Sequence, residues 1–139
     1  MDCPMTFPFD TPILIVEDFN TMRRIQRNML HRLGYDDVDD AADGASALER
    51  LAARRYGLVI SDWNMAPMTG FELLKRVRGG AHNPDVPFLM VTAESGAASV
   101  EAAREAGVSA YLVKPYTEDD LKAKLAAVCP ARLASPGEF

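Results

Sequence analysis

Four short apolar runs in this 139-residue chain each end in a reactive polar group. Ile13-Leu14-Ile15-Val16 runs into Glu17 and Asp18. Leu58-Val59-Ile60-Ser61 runs into Asp62, Phe88-Leu89-Met90-Val91 into Thr92, and Tyr111-Leu112-Val113 into Lys114. Gathered at one place, three carboxylates repel: at about 4 Å and an effective dielectric near 20, each pair costs on the order of 4 kcal/mol. Such a cluster calls for a cation. A hard divalent ion fits, because Mg²⁺ takes one or two carboxylates, keeps several waters and leaves room for phosphate oxygens. With Lys114, the charges balance. A carboxylate is also a nucleophile toward phosphorus, and phosphoryl transfer needs mainly positioning and charge neutralisation. Asp62 is the candidate nucleophile, with Lys114 for neutralisation and the Thr92 hydroxyl for a phosphoryl oxygen. No histidine is needed, and His31 and His82 read as surface residues.

The apolar runs read as strands buried on both faces, as in a parallel sheet. Open α/β sheets place ligands at the carboxyl ends of such strands. Between the runs lie helical patterns. The first extends from about Asn20, a plausible N-cap, to Leu33, with Met22, Ile25, Met29 and Leu33 as one apolar stripe; Gly34 ends it. A weak edge strand, 36–42, follows, and Asp43-Gly44 opens a second helix with Ala47, Leu48 and Leu51 on its apolar face. Gly70 to Val77, Glu94 to Ala106 and a Thr117-capped segment ended by Pro130 complete five helices. Five alternations with short connections predict a doubly wound, five-stranded parallel sheet with helices on both faces. The expected organisation is a loose leader over 1–11, one domain over 12–128, and a tail over 129–139, part of which reads as a cloning remnant.

Composition sets the outer bounds. A hydrophobic share of 48% and a charged share of 25% suit a globular protein. A net charge of −5 argues against nucleic acid as a partner. No apolar run approaches the roughly 18 residues of a membrane span, and the first ten residues do not form a signal peptide. The expected setting is therefore the cytoplasm, where Cys3 and Cys129 are minor thiols.

Taken together, four motifs in order resemble the response-regulator receiver domain, and in particular its single-domain chemotaxis type. They are Val16-Glu17-Asp18, Ser61-Asp62-Trp63-Asn64-Met65, Met90-Val91-Thr92-Ala93-Glu94 and Tyr111-Leu112-Val113-Lys114-Pro115-Tyr116. The resemblance covers Ile13 to Val128 and implies a flavodoxin-like sheet of order 2-1-3-4-5. It makes Asp62 the phosphoacceptor, with Mg²⁺ held by Glu17, Asp18, Asp62 and the Asn64 main-chain carbonyl. It makes Lys114 the partner of the phosphoryl group, and Thr92 and Tyr111 coupled switch residues. Asn64 and Glu94 match positions tied to fast dephosphorylation. The Lys114–Pro115 bond is a candidate cis peptide. The phosphodonor would be a histidine kinase or phosphotransfer protein. The readout would be a protein target on the surface of the fourth helix, fifth strand and fifth helix, with the regulator a monomer or weak dimer. Arg23 and Arg27, on the helix that begins beside the site, are candidates for docking the donor.

The chain departs from the pattern in two places. Ala66 stands where a proline usually follows the methionine, Pro67 comes next, and Thr69 replaces an acidic residue, so this loop is expected to run differently. Ser95-Gly96-Ala97-Ala98 is less basic than in motor-binding regulators, which argues against a flagellar-motor target. Trp63, beside Asp62, is expected to be exposed and to report on metal. Three other functions share parts of this pattern. A haloacid-dehalogenase-type phosphohydrolase needs a second acid where Asn64 stands, and a flavin carrier needs a phosphate loop after the first strand. A receiver that is never phosphorylated would serve as a scaffold. The protein is not expected to be an enzyme beyond Mg²⁺-dependent phosphorylation and dephosphorylation of itself.

Overall fold

A computed structural model describes residues 7–93 and 96–128. Five strands alternate with five helices: β1 Ile13–Val16, α1 Asn20–Arg32, β2 Val38–Ala41, α2 Gly44–Ala53, β3 Leu58–Asp62, α3 Gly70–Arg78, β4 Phe88–Thr92, α4 Ala97–Glu105, β5 Ala110–Val113 and α5 Glu118–Val128. The strands form one parallel sheet, β2-β1-β3-β4-β5. This is the expected doubly wound order. β1, β3 and β4 are buried along their whole length, because helices cover both faces.

Side chains alternate across a strand, so the core divides into two layers. Leu14, Val16, Val59, Phe88 and Met90 pack against α2, α3 and α4 through Ala47, Leu51, Leu73, Leu74, Val77 and Ala103. Ile13, Ile15, Leu58, Ile60, Leu89 and Val91 pack against α1 and α5 through Leu30, Leu121, Leu125 and Val128. Each such Val, Leu, Ile, Met or Phe side chain contributes about 1.5–3 kcal/mol when fully buried.

Helix ends follow local chemistry. Asp43 caps α2 by accepting from the Ser46 N–H at 2.8 Å. Thr69 and Glu72 form a capping box on α3, so the threonine in the acidic residue's place serves as a cap. Thr117 accepts from the Asp120 N–H at 3.1 Å, and Asp120 accepts from the Thr117 N–H at 2.9 Å. Gly34 leaves α1 at φ 107°, a left-handed conformation natural to glycine.

Four expectations need correction. Asn20 is the first helical residue; the cap position belongs to Phe19, whose side chain makes no capping bond. Residues 7–11 are not loose: Phe7 and Thr11 are buried, and the Tyr35 hydroxyl donates to the Phe7 carbonyl at 2.8 Å. In α1 the buried residues are Gln26 and Leu30, and Ile25 is 40% exposed. The apolar stripe Met22, Ile25, Met29 instead lines an open groove of about 450 Å³ with Ala93, Lys114, Pro115 and Tyr116. The helix is rotated from the expected phase so that Gln26 turns inward, where its Nε2 donates to the Tyr116 hydroxyl at 3.2 Å. Finally, α4 begins at Ala97, after Gly96 as cap.

Candidate functional site

Sheet register brings the reactive groups together. Val16 stands opposite Ser61, Asp62 opposite Val91, and Thr92 opposite Val113. Glu17 therefore lies level with Asp62, and Lys114 follows one step beyond Thr92. The Lys114 N–H donates to the Thr92 carbonyl at 2.8 Å, extending the ladder. Carboxylate oxygens of Glu17, Asp18 and Asp62 lie within 4.8 Å of one another; Glu17 and Asp62 are buried and Asp18 is exposed.

Among the described residues, one cation is ion-paired with this cluster. Lys114 Nζ lies 2.8 Å from Asp62 Oδ1 and 3.8 Å from Glu17 Oε1. Both oxygens are buried, and among the described residues neither has a well-directed hydrogen bond, so the Lys114 contact is an ion pair by charge and distance. Burial and the nearby Asp62 charge push the Glu17 carboxyl up to about 7. Burial also raises Asp62, against the pull of Lys114 and the Asn64 main-chain N–H. Burial lowers the Lys114 ammonium's affinity for its proton, but the ion pairs with Asp62 and Glu17 outweigh it and leave its pKa raised. Orphaned oxygens and elevated carboxyl pKa values are what a site built for a hard cation shows without one. The donor set fits Mg²⁺.

The surrounding loops hold these groups by close contacts. Glu17 Oε2 accepts from the Phe19 N–H at 3.3 Å, and Arg23 donates to the Glu17 carbonyl at 2.7 Å and to Asn20 Oδ1 at 3.3 Å. After Asp62 the chain turns back so tightly that the Gly70 N–H donates to the Trp63 carbonyl at 2.8 Å. A Cβ on Gly70 would sit 2.1 Å from the Asp62 carbonyl oxygen, so only glycine fits there. Both the Ala66–Pro67 and Lys114–Pro115 peptide bonds are cis.

The neighbouring residues fall partly as expected. Thr92 is fully buried at the end of β4. Tyr111 is buried with the α2–α4 layer, its ring edge-on to Trp63 at 6.2 Å. Trp63 is not freely exposed: it is half-buried and stacked on Phe71 at 5.3 Å. The Asn64 side chain is exposed. Arg27, expected at a docking surface, donates to the Val38 carbonyl and to Asp40, both at 2.6 Å. It thus braces edge strand β2, as Arg23 braces the turn after β1. Glu94, Cys3 and Cys129 lie outside the described residues. Gly70, the Arg23 brace and a Gln26–Tyr116 hydrogen bond were missed. Only Gly70 carried a sequence signal, as the glycine that closes the loop after Asp62.

Residues 13–126 match the family described as response regulator receiver domain. The chain belongs to that family. Receiver domains with similar sequences include the chemotaxis protein CheY1 of Helicobacter pylori, 46% identical over 117 residues, which span 84% of this chain and 94% of that protein. The chemotaxis protein CheY-3 of Vibrio cholerae is 45% identical over 81% of this chain and 87% of its own length. Among solved structures, Vibrio cholerae CheY4 superposes with a TM-score of 0.80 at 34% identity, covering 86% of this chain and 98% of that one. The receiver domain of a Pseudomonas aeruginosa sensor histidine kinase, described with a magnesium ion in its active-site cleft, superposes with a TM-score of 0.77 at 28% identity, covering 86% of this chain and 98% of that one. This receiver is thus a CheY-type member of two-component signalling. Membership displaces the phosphohydrolase and flavin-carrier readings. No helix among the described residues is long and apolar enough to cross a membrane.

Proposed function

We propose that this receiver is a phosphorelay regulator in the cytoplasm that takes a phosphoryl group on Asp62 from a histidine kinase or phosphotransfer protein. The observation that carries the reading is the buried Glu17–Asp62 pair, with two oxygens lacking directed hydrogen bonds, facing one ammonium. Glu17, Asp18, Asp62 and the Asn64 main-chain carbonyl would hold Mg²⁺, which supplies neutralising charge to the carboxylates and the transferred phosphoryl oxygens. In the transfer, an Asp62 oxygen attacks phosphorus. The bond from phosphorus to the donor imidazole nitrogen breaks, and the imidazole leaves with a proton from solvent. Lys114 turns from Asp62 to the new phosphoryl oxygens. The donor reaches Asp62 over α1, where Met22, Ile25 and Met29 form an open apolar wall running up to Lys114, and Arg23 and Arg27, which brace the Glu17 and Val38 carbonyls on another face of the same helix, add positive charge to its approach.

The readout is a population shift. Thr92 moves to the phosphoryl group, Tyr111 takes the space left behind, and the face of α4, β5 and α5 becomes the surface that a target protein binds. Phosphorylation biases this equilibrium only by bonding better in one of the two states. Asn64 and Glu94 admit water to the acyl phosphate and keep its lifetime short. The regulator acts as a monomer or weak dimer.

Labelling with acetyl phosphate and Mg²⁺ tests the reading. Wild type takes label that decays within minutes, whereas Asp62→Ala takes none. Equal labelling of the two proteins overturns the phosphoacceptor assignment and leaves the scaffold reading. Label persisting for many hours overturns the roles given to Asn64 and Glu94.

A further inference from the structure

We propose that Gln26 and Tyr116 are a positioning pair for Lys114, tying α1 to the turn after β5 that carries the site's ammonium group. The proposal rests on the phosphoacceptor reading of Asp62. Gln26 is 2% exposed and, with Leu30, is one of the two buried residues of α1. Its Nε2 donates to the Tyr116 hydroxyl at 3.2 Å, across 90 residues of sequence. Its Oε1 is buried and has no hydrogen-bond partner among the described residues.

Packing alone does not account for this pair. A buried amide oxygen without a partner is unfavourable, and replacing both members by apolar groups of similar shape removes that penalty. A leucine facing a phenylalanine would fill the space without it. What the polar pair adds is direction. A hydrogen bond fixes the lateral position of the Tyr116 ring, whereas an apolar contact tolerates sliding.

Tyr116 lies two residues beyond Lys114, and its hydroxyl falls within the electrostatic reach of Lys114, Glu17 and Asp62. Besides a longer approach to Glu17 at 3.8 Å, Lys114 has two anchors of its own: its N–H on the Thr92 carbonyl at 2.8 Å, and its ammonium on Asp62 at 2.8 Å. The second anchor is lost in the reaction, because the attacking Asp62 oxygen gives up its charge to the new bond. The flexible lysine stem must then find the phosphoryl oxygens. At that moment the placement of the turn matters most, and Gln26 holds it from α1. Tyr116 also forms part of the groove wall with Met22, Ile25 and Met29, so the turn is otherwise open on that side.

Tyr116→Phe keeps the ring and removes the hydroxyl; Gln26→Leu removes the amide. In acetyl phosphate labelling each variant should lose about tenfold in plateau rate, less than the roughly hundredfold that a 1 Å misplacement can cost. The Mg²⁺ half-saturation, read from Trp63 emission, should stay within about twofold, because Lys114 acts on phosphoryl and not on the metal. In a Lys114→Ala background, Tyr116→Phe should cause no further loss. The double variant Gln26→Leu/Tyr116→Phe, with an apolar pair, should fold at least as stably as wild type and remain slow. Return of the double variant to the wild-type rate makes the pair a packing feature and overturns the proposal. So does an undiminished effect of Tyr116→Phe in the Lys114→Ala protein. If wild type takes no label, or Asp62→Ala takes it equally, the phosphoacceptor reading itself has failed, which is a distinct result.

Discussion

Two acidic clusters lie a few residues apart in this fold, and they are treated oppositely. On edge strand β2 and the turn before it, Asp37, Asp39 and Asp40 are each matched by a cation. Arg54 bridges Asp37 and Asp39, Arg27 holds Asp40, and the Tyr56 hydroxyl donates to Asp39. These carboxylates are partly exposed, and the Tyr56 hydrogen bond and then Arg54 hold Asp39 below its ordinary pKa despite some burial. At the carboxyl edge, Glu17, Asp18 and Asp62 share a single ammonium, and Glu17 and Asp62 are pushed upward. The first cluster is complete within the chain. The second is charged for something that the chain itself does not supply. Acidic residues in a cluster are therefore not informative by number; the balance of partners separates a structural cluster from a binding one.

The sharpest way to break this comparison is removal of the nucleophile. Asp62→Ala should reduce Mg²⁺-dependent labelling by acetyl phosphate more than about a hundredfold, beyond the effect of a positioning error. Asp39→Asn should leave labelling close to wild type. Comparable losses from both substitutions would erase the distinction.

Next in size is the opposite pH dependence. Glu17 has its folded pKa raised from 4.5 to about 7. The folded state then binds more protons than the unfolded state across that window, so the stability of the ion-free protein falls as pH rises through it, by about 1–3 kcal/mol. Asp39 is depressed below 3.8, so its contribution is present above that value and is lost as pH falls through the folded pKa. Urea melts from pH 5 to 8 with chelator, repeated with Mg²⁺, check the first slope. With Mg²⁺ at about a hundred times its Kd, stability should rise by roughly 2.7 kcal/mol, and the decline should flatten. A decline that ignores Mg²⁺ would separate Glu17 from the metal.

The smaller effects belong to β2. Tyr56→Phe should cost about 0.5–1 kcal/mol, because the lost hydrogen bond is to a partly exposed, solvent-screened carboxylate. Arg54→Gln should cost a similar or smaller amount and lose most of its effect at 1 M salt, where the Debye length is about 3 Å. Neither should change the Mg²⁺ response of Trp63 emission. A changed response in either would couple the two clusters.

The elements that place the site were legible because their signals are local. An apolar run closed by a carboxylate marks β1 and β3, and one closed by a hydroxyl or an ammonium marks β4 and β5. Thr117 and Asp43 announced the helices they cap. What escaped is non-local. In α1, Met22, Ile25 and Met29 have the spacing of a buried stripe, and nothing adjacent says that Gln26 will turn inward to meet a tyrosine 90 residues away. Arg23 and Arg27 read as a solvated or docking face, because the Glu17 and Val38 carbonyls that they brace are backbone atoms that no sequence pattern displays. The burial of Phe7 depends on Tyr35 offering it a hydroxyl.

By itself, the sequence determined that three carboxylates, a threonine and a lysine each terminate a buried strand, since hydrophobic runs and their ends are properties of neighbouring residues. Only the tertiary structure decided that one lysine must serve both Glu17 and Asp62, that two of their oxygens lack directed hydrogen bonds, and that α1 turns Gln26 inward and leaves Met22 and Met29 half-buried along a groove. Those outcomes depend on sheet register and helix rotation, which are set by contacts between residues far apart in the chain.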